Sequence, residues 1–405
     1  MIKNFCMLMC GLLLAGCTSK RMTVSTYDSY RGLVMAGYQG WFNAEGDSEN
    51  RGFYHYTGRN GFRPGSATVD MWPDVAEYDK TYPTEFRMAD GSAARVFSSS
   101  DASTVDTHFR WMKEYGLDGV FMQRFVGEIK GRSGRGHFNN VLSSAMDAAK
   151  KYGRAICVMY DLSGMRPEDS EVLLADIKEV ADEHGLFDRK ANPSYLYHNG
   201  KPLVAVWGVG FDDGRAYGLD DCAAIISGLK DQGYSVMIGV PTHWRELNGD
   251  TTSDTALHDI IKDCDIVMPW FVARYTPETF GGFKGLIADD AKWCADEGLD
   301  YAPLVFPGFS WKNMYGKETN AIPRNRGEFL KSQIDYSLDA GAKMLYVAMF
   351  DEIDEGTAIF KCATEVPVDS LGTSFVPIES GLGSDHYLKI VGNAAKMLKK
   401  RSKSN

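Results

Sequence analysis

Four carboxylates crowd into five residues near the end of the chain, in the stretch "MFDEIDEGTAIF" that begins at Met349: Asp351, Glu352, Asp354 and Glu355. The stretch follows "KMLYVAM", which has the composition of a buried strand, and it continues into apolar residues. Neighbouring carboxyl groups acquire different pKa values, so one can donate a proton while the other accepts one. Glycoside hydrolysis commonly uses such a pair. The cluster therefore indicates acid–base chemistry on a glycosidic bond, and a solvated charged turn is the alternative.

Eight short apolar runs recur along the chain and would supply the strands that position this cluster. They lie at 32–42, 119–126, 155–164, 203–211, 235–241, 264–272, 301–309 and 343–352. None alternates strictly between apolar and polar residues, which is the pattern of parallel strands buried on both faces. Helical patterns separate most of them, at about 103–115, 139–153, 167–185, 219–232, 253–263, 286–298 and 325–341, and several end at a glycine.

The alternation of strands and helices predicts an α/β protein, a (β/α)8 TIM barrel that occupies residues 31–402 as a single catalytic domain. A doubly wound sheet is the main competitor, but "GYQGWF" after the first run does not fit the dinucleotide-binding fingerprint. The first strand-to-helix segment, at about 43–101, is very long, and it predicts extended loops over the C-terminal mouth of the barrel.

Polar and aromatic residues concentrate at the predicted C-terminal strand ends, where a parallel barrel places its functional groups. The residues predicted to contact a substrate are Tyr38, Gln39, Trp41, Gln123, Arg124, Tyr160, Asp161, Trp207, His243, Trp244, Trp270, Tyr275, Trp311 and Asp351. Several of them have a structural alternative. Arg124 would equally pair with a carboxylate, Asp161 would equally form a structural hydrogen bond, and a lone histidine such as His243 is often a structural residue.

Five of the eight tryptophans lie at or just beyond a predicted strand end. An apolar ring edged by carboxylates and hydroxyl donors suits a sugar, which has apolar C–H faces and a rim of hydroxyl groups. The alternative is that these tryptophans fill the upper layer of the barrel. Together they favour a carbohydrate cleft, with an oligosaccharide or a polysaccharide as the substrate.

The composition excludes some partners. The formal net charge is −10, from 44 basic and 54 acidic residues, and a block of basic residues occurs only in the tail "KMLKKRSK". Nucleic acid is therefore not an expected partner, because binding it requires clustered Lys and Arg. No ligand motif indicates a catalytic metal or another cofactor. The five cysteines after position 17 are widely spaced and odd in number, which predicts buried thiols. We expect a monomer.

The N-terminal stretch "MIKNFCMLMCGLLLAGCTSK" has the pattern of a targeting segment. Lys3 precedes an apolar run that is too short to span a bilayer, and the run ends in "LAGC", which resembles the lipobox of bacterial lipoproteins. This predicts a signal peptide over 1–17, a lipidated Cys17 and a polar tether over 18–30. The protein would then be anchored in the bacterial cell envelope, at the periplasmic face or the outer surface. An ordinary secretory signal is the alternative.

The acidic stretch also carries a family resemblance. "FDEIDEGT" resembles the "FNEWHEGT" pattern of glycoside hydrolase family 99, the endo-α-mannosidases. More broadly, the chain is similar to the family 71/99-like group, whose bacterial members often carry a xylosidase/arabinosidase label. The motifs that carry this wider resemblance are "GYQGWF", "TVDMWPDVAEY", "HFRWMKEYGLDGVFMQRFV", "APLVFPGFSW" and "MFDEIDEGTAIFK".

The resemblance implies roles for Glu352 and Glu355, which match the two catalytic glutamates of the family 99 pattern. Glu352 would be the base that deprotonates the 2-OH of the sugar, which then attacks the anomeric carbon from within the same ring. Glu355 would act first as general acid and then as base, and the configuration would be retained. The substrate hydroxyl would thus replace the enzyme nucleophile of ordinary retaining glycosidases.

This sequence departs from the family pattern at three positions. Asp351, Ile353 and Asp354 stand where family 99 has Asn, Trp and His, and the two additional carboxylates would raise the pKa values of their neighbours. Mannose specificity therefore stays open, with xylo- or arabino-configured glycans or another polysaccharide as alternatives. A non-catalytic glycan-binding lipoprotein is a further alternative, and the presence of both glutamates favours the enzyme.

Overall fold

The computed structural model describes residues 26–402, so the predicted signal peptide and Cys17 lie outside the described residues. In chain order the strands are β1 (Val34–Tyr38), β2 (Tyr82–Arg87), β3 (Ala93–Val96), β4 (Gly119–Phe125), β5 (Ala155–Asp161), β6 (Tyr197–His198), β7 (Lys201–Trp207), β8 (Ser235–Val240), β9 (Ile266–Pro269), β10 (Asp300–Tyr301), β11 (Leu304–Val305) and β12 (Leu345–Val347). The α-helices are α1 (Ala102–Tyr115), α2 (Val126–Ile129), α3 (Arg132–Tyr152), α4 (Ser170–His184), α5 (Leu219–Asp231), α6 (Ala256–Lys262), α7 (Phe280–Asp296), α8 (Lys312–Tyr315), α9 (Glu328–Asp339) and α10 (His386–Ser402).

The parallel strands close into a barrel. Their pairing runs from β10 through β9, β8, β7, β5, β4, β1 and β12 to β11. The two ends of this path, β10 and β11, are separated only by Ala302 and Pro303. Ala302 donates its N–H to Val267 in β9 (2.9 Å), and the carbonyl of Pro303 accepts from the N–H of Tyr346 in β12 (3.1 Å). The sheet therefore meets itself, and the predicted (β/α)8 barrel is confirmed. The predicted strand at 301–309 is split because Pro303 has no N–H for the ladder.

The barrel strands are buried on both faces. Every residue of β1, β8, β9 and β12 is buried, because the inward side chains fill the barrel and the helices cover the outward ones. Gly116, Gly153 and Gly185 follow α1, α3 and α4 in the left-handed conformation. These are three of the glycines that the sequence placed at helix ends.

Three helices differ from the sequence-based expectation. Helices α3 and α7 begin earlier, at Arg132 and Phe280, although glycines in both first turns lower helix propensity. Tertiary packing outweighs that propensity: Gly134 lies where a Cβ would be 2.4 Å from the carbonyl oxygen of Glu128, and Phe280 is buried against Tyr275. Helix α10 was not predicted, and it buries an apolar face beneath a basic surface.

The long segment after β1 covers the C-terminal mouth of the barrel, as predicted. It contains the antiparallel hairpin of β2 and β3 and an aromatic core in which Phe42 contacts Tyr56 and Phe97, with ring centroids 4.7 and 5.7 Å apart. The N–H groups of Asp70 and Met71 donate to the carbonyl of Ile353. The segment is thereby joined to the loop that carries the acidic cluster.

Residues at the start of the described region pack on the opposite face of the barrel. Tyr27 bridges to Leu196, and the buried Tyr30 donates its hydroxyl hydrogen to Leu345 (2.7 Å). The packed domain thus includes residues that the sequence assigned to the tether over 18–30. The five cysteines from Cys157 to Cys362 are buried free thiols, as predicted. Within residues 26–402, no helix is long and apolar enough to cross a membrane.

Candidate active site

A cleft of about 580 Å³ opens at the C-terminal ends of the barrel strands. Seven of the eight strand positions contribute side chains to it, and β8 is the exception. Nine of the residues singled out in the sequence line this cleft: Gln39, Trp41, Gln123, Asp161, Trp207, Trp270, Trp311, Glu352 and Glu355. The cleft therefore brings together four of the five predicted tryptophans with the two glutamates of the acidic stretch.

The loop that follows β12 is held in a fixed shape by backbone hydrogen bonds. Phe350 donates its N–H to Gly37 beside it in β1 (2.7 Å), Thr357 donates to Glu352 (3.2 Å), and Ile359 donates to Met349 (3.0 Å). The chain thus turns back on itself within about ten residues. This turn explains how four carboxylates are buried directly after a barrel strand instead of extending into solvent.

Glu352 is the carboxylate of the cluster whose two oxygens both accept hydrogen bonds from side chains. One of its oxygens accepts from the side-chain amide of Gln39, and the other accepts from the hydroxyl of Thr357 (2.7 Å). Burial raises the pKa of Glu352 well above its ordinary value, and repulsion from Glu355 and Asp354 adds to this. The two donors act in the opposite direction, because they stabilise the ionised form. The two hydrogen bonds therefore fix the orientation of the Glu352 carboxyl group, while its net pKa stays raised.

Glu355 lies on the same cleft wall in a different electrostatic setting. Burial, together with repulsion from Asp354, raises the pKa of Glu355 to about 8. A carboxyl group with that pKa holds its proton at neutral pH, as a general acid must. Buried carboxyl groups this close together cannot all ionise at once. The arrangement suits a coupled pair in which one carboxyl group holds a proton while the other is ionised.

Asp351 was predicted to contact a substrate, but the structure places it behind the cleft. Its two carboxylate oxygens accept from the backbone N–H groups of Gln39 (2.8 Å) and Gly40 (2.9 Å). Burial raises the pKa of Asp351 to about 7. Asp351 therefore ties the end of the last barrel strand to the end of the first, and in doing so it holds the backbone of Gln39, whose side chain binds Glu352.

Asp354 also lies behind the cleft, where it faces His55 from the long first loop. The His55 Nδ1 and an Asp354 carboxylate oxygen are 3.6 Å apart, and the other carboxylate oxygen has no hydrogen-bond partner within residues 26–402. Burial raises the pKa of Asp354 to about 8 and lowers the pKa of His55 to about 3. At neutral pH both side chains are therefore mainly uncharged, and they do not form an ion pair.

His55 in turn supports an aromatic stack at the cleft wall. Its ring lies flat on Trp41, with centroids 3.9 Å apart and planes inclined by 7°, and Phe125 packs on Trp41 at 5.0 Å. The backbone of His55 has a φ of 61°, which few non-glycine residues adopt. The indole is thus clamped between two rings, so its orientation is fixed before any ligand arrives.

The cleft carries buried polar atoms that have no protein partner in the described region. They include the indole nitrogens of Trp41, Trp207 and Trp311 and the amide oxygens of Gln39 and Gln123. Buried donors and acceptors are almost always satisfied, by protein or by ordered water. Three donors and two acceptors beside flat aromatic faces match the hydroxyl groups and C–H faces of a sugar.

Arg215 is a cleft residue that the sequence analysis did not single out. Its guanidinium lies over the rings of Trp207 (4.9 Å) and Phe211 (4.6 Å), and it is held by Asp213 and by the hydroxyl of Tyr217. The sequence does not reveal this contact with Trp207, because it depends on the conformation of the loop after β7. Other lining residues that were missed are Phe125, Ser163, Met349 and Phe309.

Three predicted site residues point out of the barrel. Tyr38 is hydrogen-bonded to His108 of α1 (2.7 Å), whereas Arg124 and Tyr160 both bind Asp176 of α4. All three are fully or almost fully buried between the sheet and the helices. The prediction that they contact a substrate is therefore corrected, and the alternative that Arg124 pairs with a carboxylate describes what the structure shows.

Three further predicted site residues lie in loops that pack away from the cleft. Trp244 is buried and donates its indole N–H to Asp290 (3.2 Å), and Tyr275 donates its hydroxyl hydrogen to Gln333 (3.1 Å). His243 is partly exposed and its backbone N–H donates to Asp250. None of the three is among the cleft-lining residues. The side-chain contacts of Trp244 and Tyr275 are structural, and their predicted roles in substrate binding are corrected, whereas the side chain of His243 is partly exposed and its role stays a prediction.

Comparison with solved structures identifies known proteins that share the fold of this chain. No family model matches the sequence, and no curated protein matches it. The structure of the GH99 endo-alpha-mannosidase from Bacteroides thetaiotaomicron in complex with bis-tris-propane matches with a TM-score of 0.65 and 15% identity, over 94% of this chain and 100% of that one. A second structure of the enzyme matches over 93% and 99%. A glycoside hydrolase-like protein matches with a TM-score of 0.52 and 14% identity, over 77% and 89%.

At these identities the likeness extends to the fold and no further. It covers nearly the whole length of both chains, and it agrees with the family resemblance that the acidic stretch suggested. The protein therefore has the (β/α)8 architecture of the family 99 endo-alpha-mannosidase, with its own cleft at the C-terminal face of the barrel.

Proposed function

We propose that this protein is a glycoside hydrolase that cleaves an α-linked glycan, with Glu355 as general acid and Glu352 as base. The observation that carries the proposal is the cleft itself: two buried glutamates with raised pKa values lie in a tryptophan-walled cleft at the C-terminal face of a barrel. Carboxyl pairs with shifted pKa values are the usual machinery of glycosidases. The fold shared with a glycosidase supports the same reading.

The resemblance to family 99 supports a retaining mechanism that uses the 2-OH of the substrate. In the first step, Glu352 removes the proton of the 2-OH, O2 bonds to the anomeric carbon, and the glycosidic bond breaks as Glu355 protonates the leaving oxygen. In the second step, Glu355, now ionised, takes a proton from water. The water oxygen bonds to the anomeric carbon, the bond to O2 breaks, and Glu352 returns its proton to O2. Both carboxyl groups regain their starting states.

The departures from the family 99 pattern act behind the cleft. Asp351 and Asp354 are not among its lining residues; they hold Gln39 and face His55. We therefore expect them to tune the positions and the protonation of the glutamates, and not to recognise the sugar directly. An endo-α-1,2-mannosidase activity is our first candidate, and xylo- or arabino-configured glycans follow.

The proposal is tested with purified protein on a panel of α-mannans, arabinans and xylans, with NMR of the first product to identify its anomer. We expect one class to be cleaved with retention. Glu355→Gln should reduce kcat by about 10²–10⁴-fold, whereas the control Glu328→Gln, on the exposed surface of α9, should retain activity. Unchanged hydrolysis in Glu355→Gln would refute the assignment. Binding without any cleavage by the wild type would favour a glycan-binding protein.

The N-terminal pattern supports a second, separate proposal, that Cys17 is lipidated and anchors the protein in the bacterial envelope. Metabolic labelling with a radioactive fatty acid in a bacterial host should label the wild type and leave Cys17→Ser unlabelled. Labelling of both proteins, or of neither, would contradict the anchor.

A further inference from the structure

A second groove of about 580 Å³ lies beside the cleft, between the long first loop and helix α8. One wall is formed by residues 57–59 and 67–68, and the other by residues 313–316. None of these residues belongs to the carboxyl machinery or to the predicted substrate contacts. The groove is therefore a separate feature of the surface that the proposed hydrolysis does not explain.

The walls of this groove are direct continuations of the walls of the cleft. On one side, Trp311 of the cleft contacts the ring of Tyr315, with centroids 4.8 Å apart. On the other side, His55 stacks on Trp41 of the cleft and accepts a hydrogen bond from Thr68 through its carbonyl. The cleft and the groove therefore adjoin along both walls, through Trp311 with Tyr315 and through His55 with Thr68.

Tyr315 gives the groove an exposed aromatic face. Its exposed fraction is 59%, and its hydroxyl forms no hydrogen bond within residues 26–402. Arg59, across the groove, is also exposed and has no charged partner in the same region. A single exposed aromatic ring is ordinary on a protein surface, but Tyr315 also contacts Trp311 of the cleft. A flat ring with polar groups opposite is the same combination that the cleft offers to a sugar.

The groove is held in shape by its surroundings. Asp70 accepts from the backbone N–H groups of Lys312 (2.6 Å) and Asn313 (2.8 Å), which fixes the start of α8. The side-chain amide of Asn313 donates to the carbonyls of Val69 (2.7 Å) and Ser374 (2.9 Å). These hydrogen bonds link the two walls beneath the groove, so the groove has its shape before a ligand binds. A preformed site loses less entropy when it binds a ligand.

We propose that this groove is a distal subsite that binds further sugar units of the same glycan chain that occupies the cleft. Tyr315 stacks on the C–H face of a sugar ring, and Arg59 and Thr57 bind hydroxyl groups along its edge. The inference rests on the proposed function for the identity of its ligand. It implies that the substrate is a polymer or a long oligosaccharide, since the groove would hold sugar units beyond those that fill the cleft.

The test measures binding as a function of chain length in the full chain carrying Glu355→Gln, which prevents turnover. The probes are manno-, xylo- and arabino-oligosaccharides of two, four and six units, titrated by calorimetry. We expect affinity to rise with length, and Tyr315→Ala to weaken binding of the longest probe by about fivefold to tenfold. Tyr315→Phe should retain most of the affinity, because it keeps the ring.

Phe187→Ala is the matched control, because Phe187 is an exposed aromatic (51%) in the loop after α4 and outside both the cleft and the groove. It should bind every probe as the parent protein does. An equal effect of Tyr315→Ala on two-unit and six-unit probes, or no effect on either, would overturn the distal subsite.

The outcomes also separate this inference from the proposed function. Length-dependent binding that requires Tyr315, in a wild type that cleaves no glycan, would retain the subsite and reject the hydrolase. Cleavage with no dependence on Tyr315 at any length would do the reverse. A wild type that binds none of the probes would reject both.

Discussion

Two groups of buried ionisable side chains lie in the barrel, and they differ in how the free-energy cost of burying a charge is offset. The ion pair consists of Arg124 in β4 and Asp176 in α4. The carboxyl cluster consists of Asp351, Glu352, Asp354 and Glu355, after β12. The ion pair lies outside the sheet under the helices, whereas the cluster lies at the mouth of the barrel.

The ion pair is compensated by an opposite charge. Arg124 donates to both carboxylate oxygens of Asp176, at 2.7 and 2.5 Å, and Tyr160 donates to one of them at 2.6 Å. Asn139 accepts from the same guanidinium (2.9 Å). Burying a charge is costly unless it is paired and hydrogen-bonded. This group meets that condition except at Nη1 of Arg124, which has no partner within residues 26–402, and its role is to join the sheet to its covering helices.

The carboxyl cluster has no such counter-ion. Its four pKa values are all raised, with burial as the main cause in each, and one oxygen of Asp354 has no partner within residues 26–402. Strongly perturbed carboxyl groups in a cleft are typical of functional sites. The contrast teaches that burial alone does not distinguish a structural group from a candidate catalytic one; the candidates here are the two carboxyl groups that lack a counter-ion and also line the cleft.

The largest expected effect tests this contrast directly. Arg124→Met should lower the free energy of unfolding by about 3–5 kcal/mol, because it leaves Asp176 buried without its partner. Glu352→Gln keeps the shape of a carboxyl group that has no counter-ion and weakens one of its two hydrogen bonds, so it should lower that free energy by only about 1 kcal/mol while hydrolysis is lost. Urea denaturation and kcat are measured for both. A loss of stability in Glu352→Gln as large as that in Arg124→Met would remove the distinction.

The next effect is a dependence of stability on pH. Between about pH 4 and pH 8, folded Asp354 retains a proton that the unfolded chain has released, because its pKa is raised from 3.8 to about 8. Unfolding then releases a proton, so the free energy of unfolding falls as the pH rises through this window. Asp354→Asn should flatten that slope by up to about 1.4 kcal/mol per pH unit.

Urea denaturation at pH 5, 6, 7 and 8 measures this slope. Asp182→Asn, on the exposed face of α4, is the control and should follow the wild type. A slope that is identical in Asp354→Asn and the wild type would show that Asp354 is not a buried, protonated group.

The smallest expected effect compares two tryptophans. Trp311→Phe keeps an aromatic ring in the cleft but removes an indole N–H that faces Glu355 and is free to bind a sugar hydroxyl, so KM should rise about fivefold with little change in stability. Trp244→Phe removes an N–H that binds Asp290, so it should lower the free energy of unfolding by about 1 kcal/mol and leave KM unchanged. Steady-state kinetics and urea denaturation check both, and an exchanged pattern would contradict the assignment.

The barrel could be predicted from the sequence because all eight apolar runs are barrel strands, in order. The strand ends could be located, but not which side of the sheet each side chain faces. Gln39, Gln123 and Asp161 line the cleft, while their direct neighbours Tyr38, Arg124 and Tyr160 point outward. Successive residues of a strand face opposite sides.

That alternation could not be assigned in advance, because a strand buried on both faces shows no polar–apolar pattern that fixes its phase. The residues of the long loops were harder still. His55 stacks on Trp41 across fourteen positions of chain, and Arg215 lies over Trp207 after a turn. Such contacts depend on loop conformation, for which no periodicity in the sequence provides a signal.

The hydrogen bonds from Gln39 and Gly40 to Asp351 have a consequence for folding during synthesis on the ribosome. The first of them joins positions 312 residues apart. At roughly 5–20 residues per second, a ribosome needs on the order of 15–60 s to add the second partner after the first. During that interval β1 has an open edge, which is a template for aggregation. The cleft is therefore the last part of the barrel to form. A chain that ends before Asp351 lacks Glu352 and Glu355, the two glutamates of the proposed site.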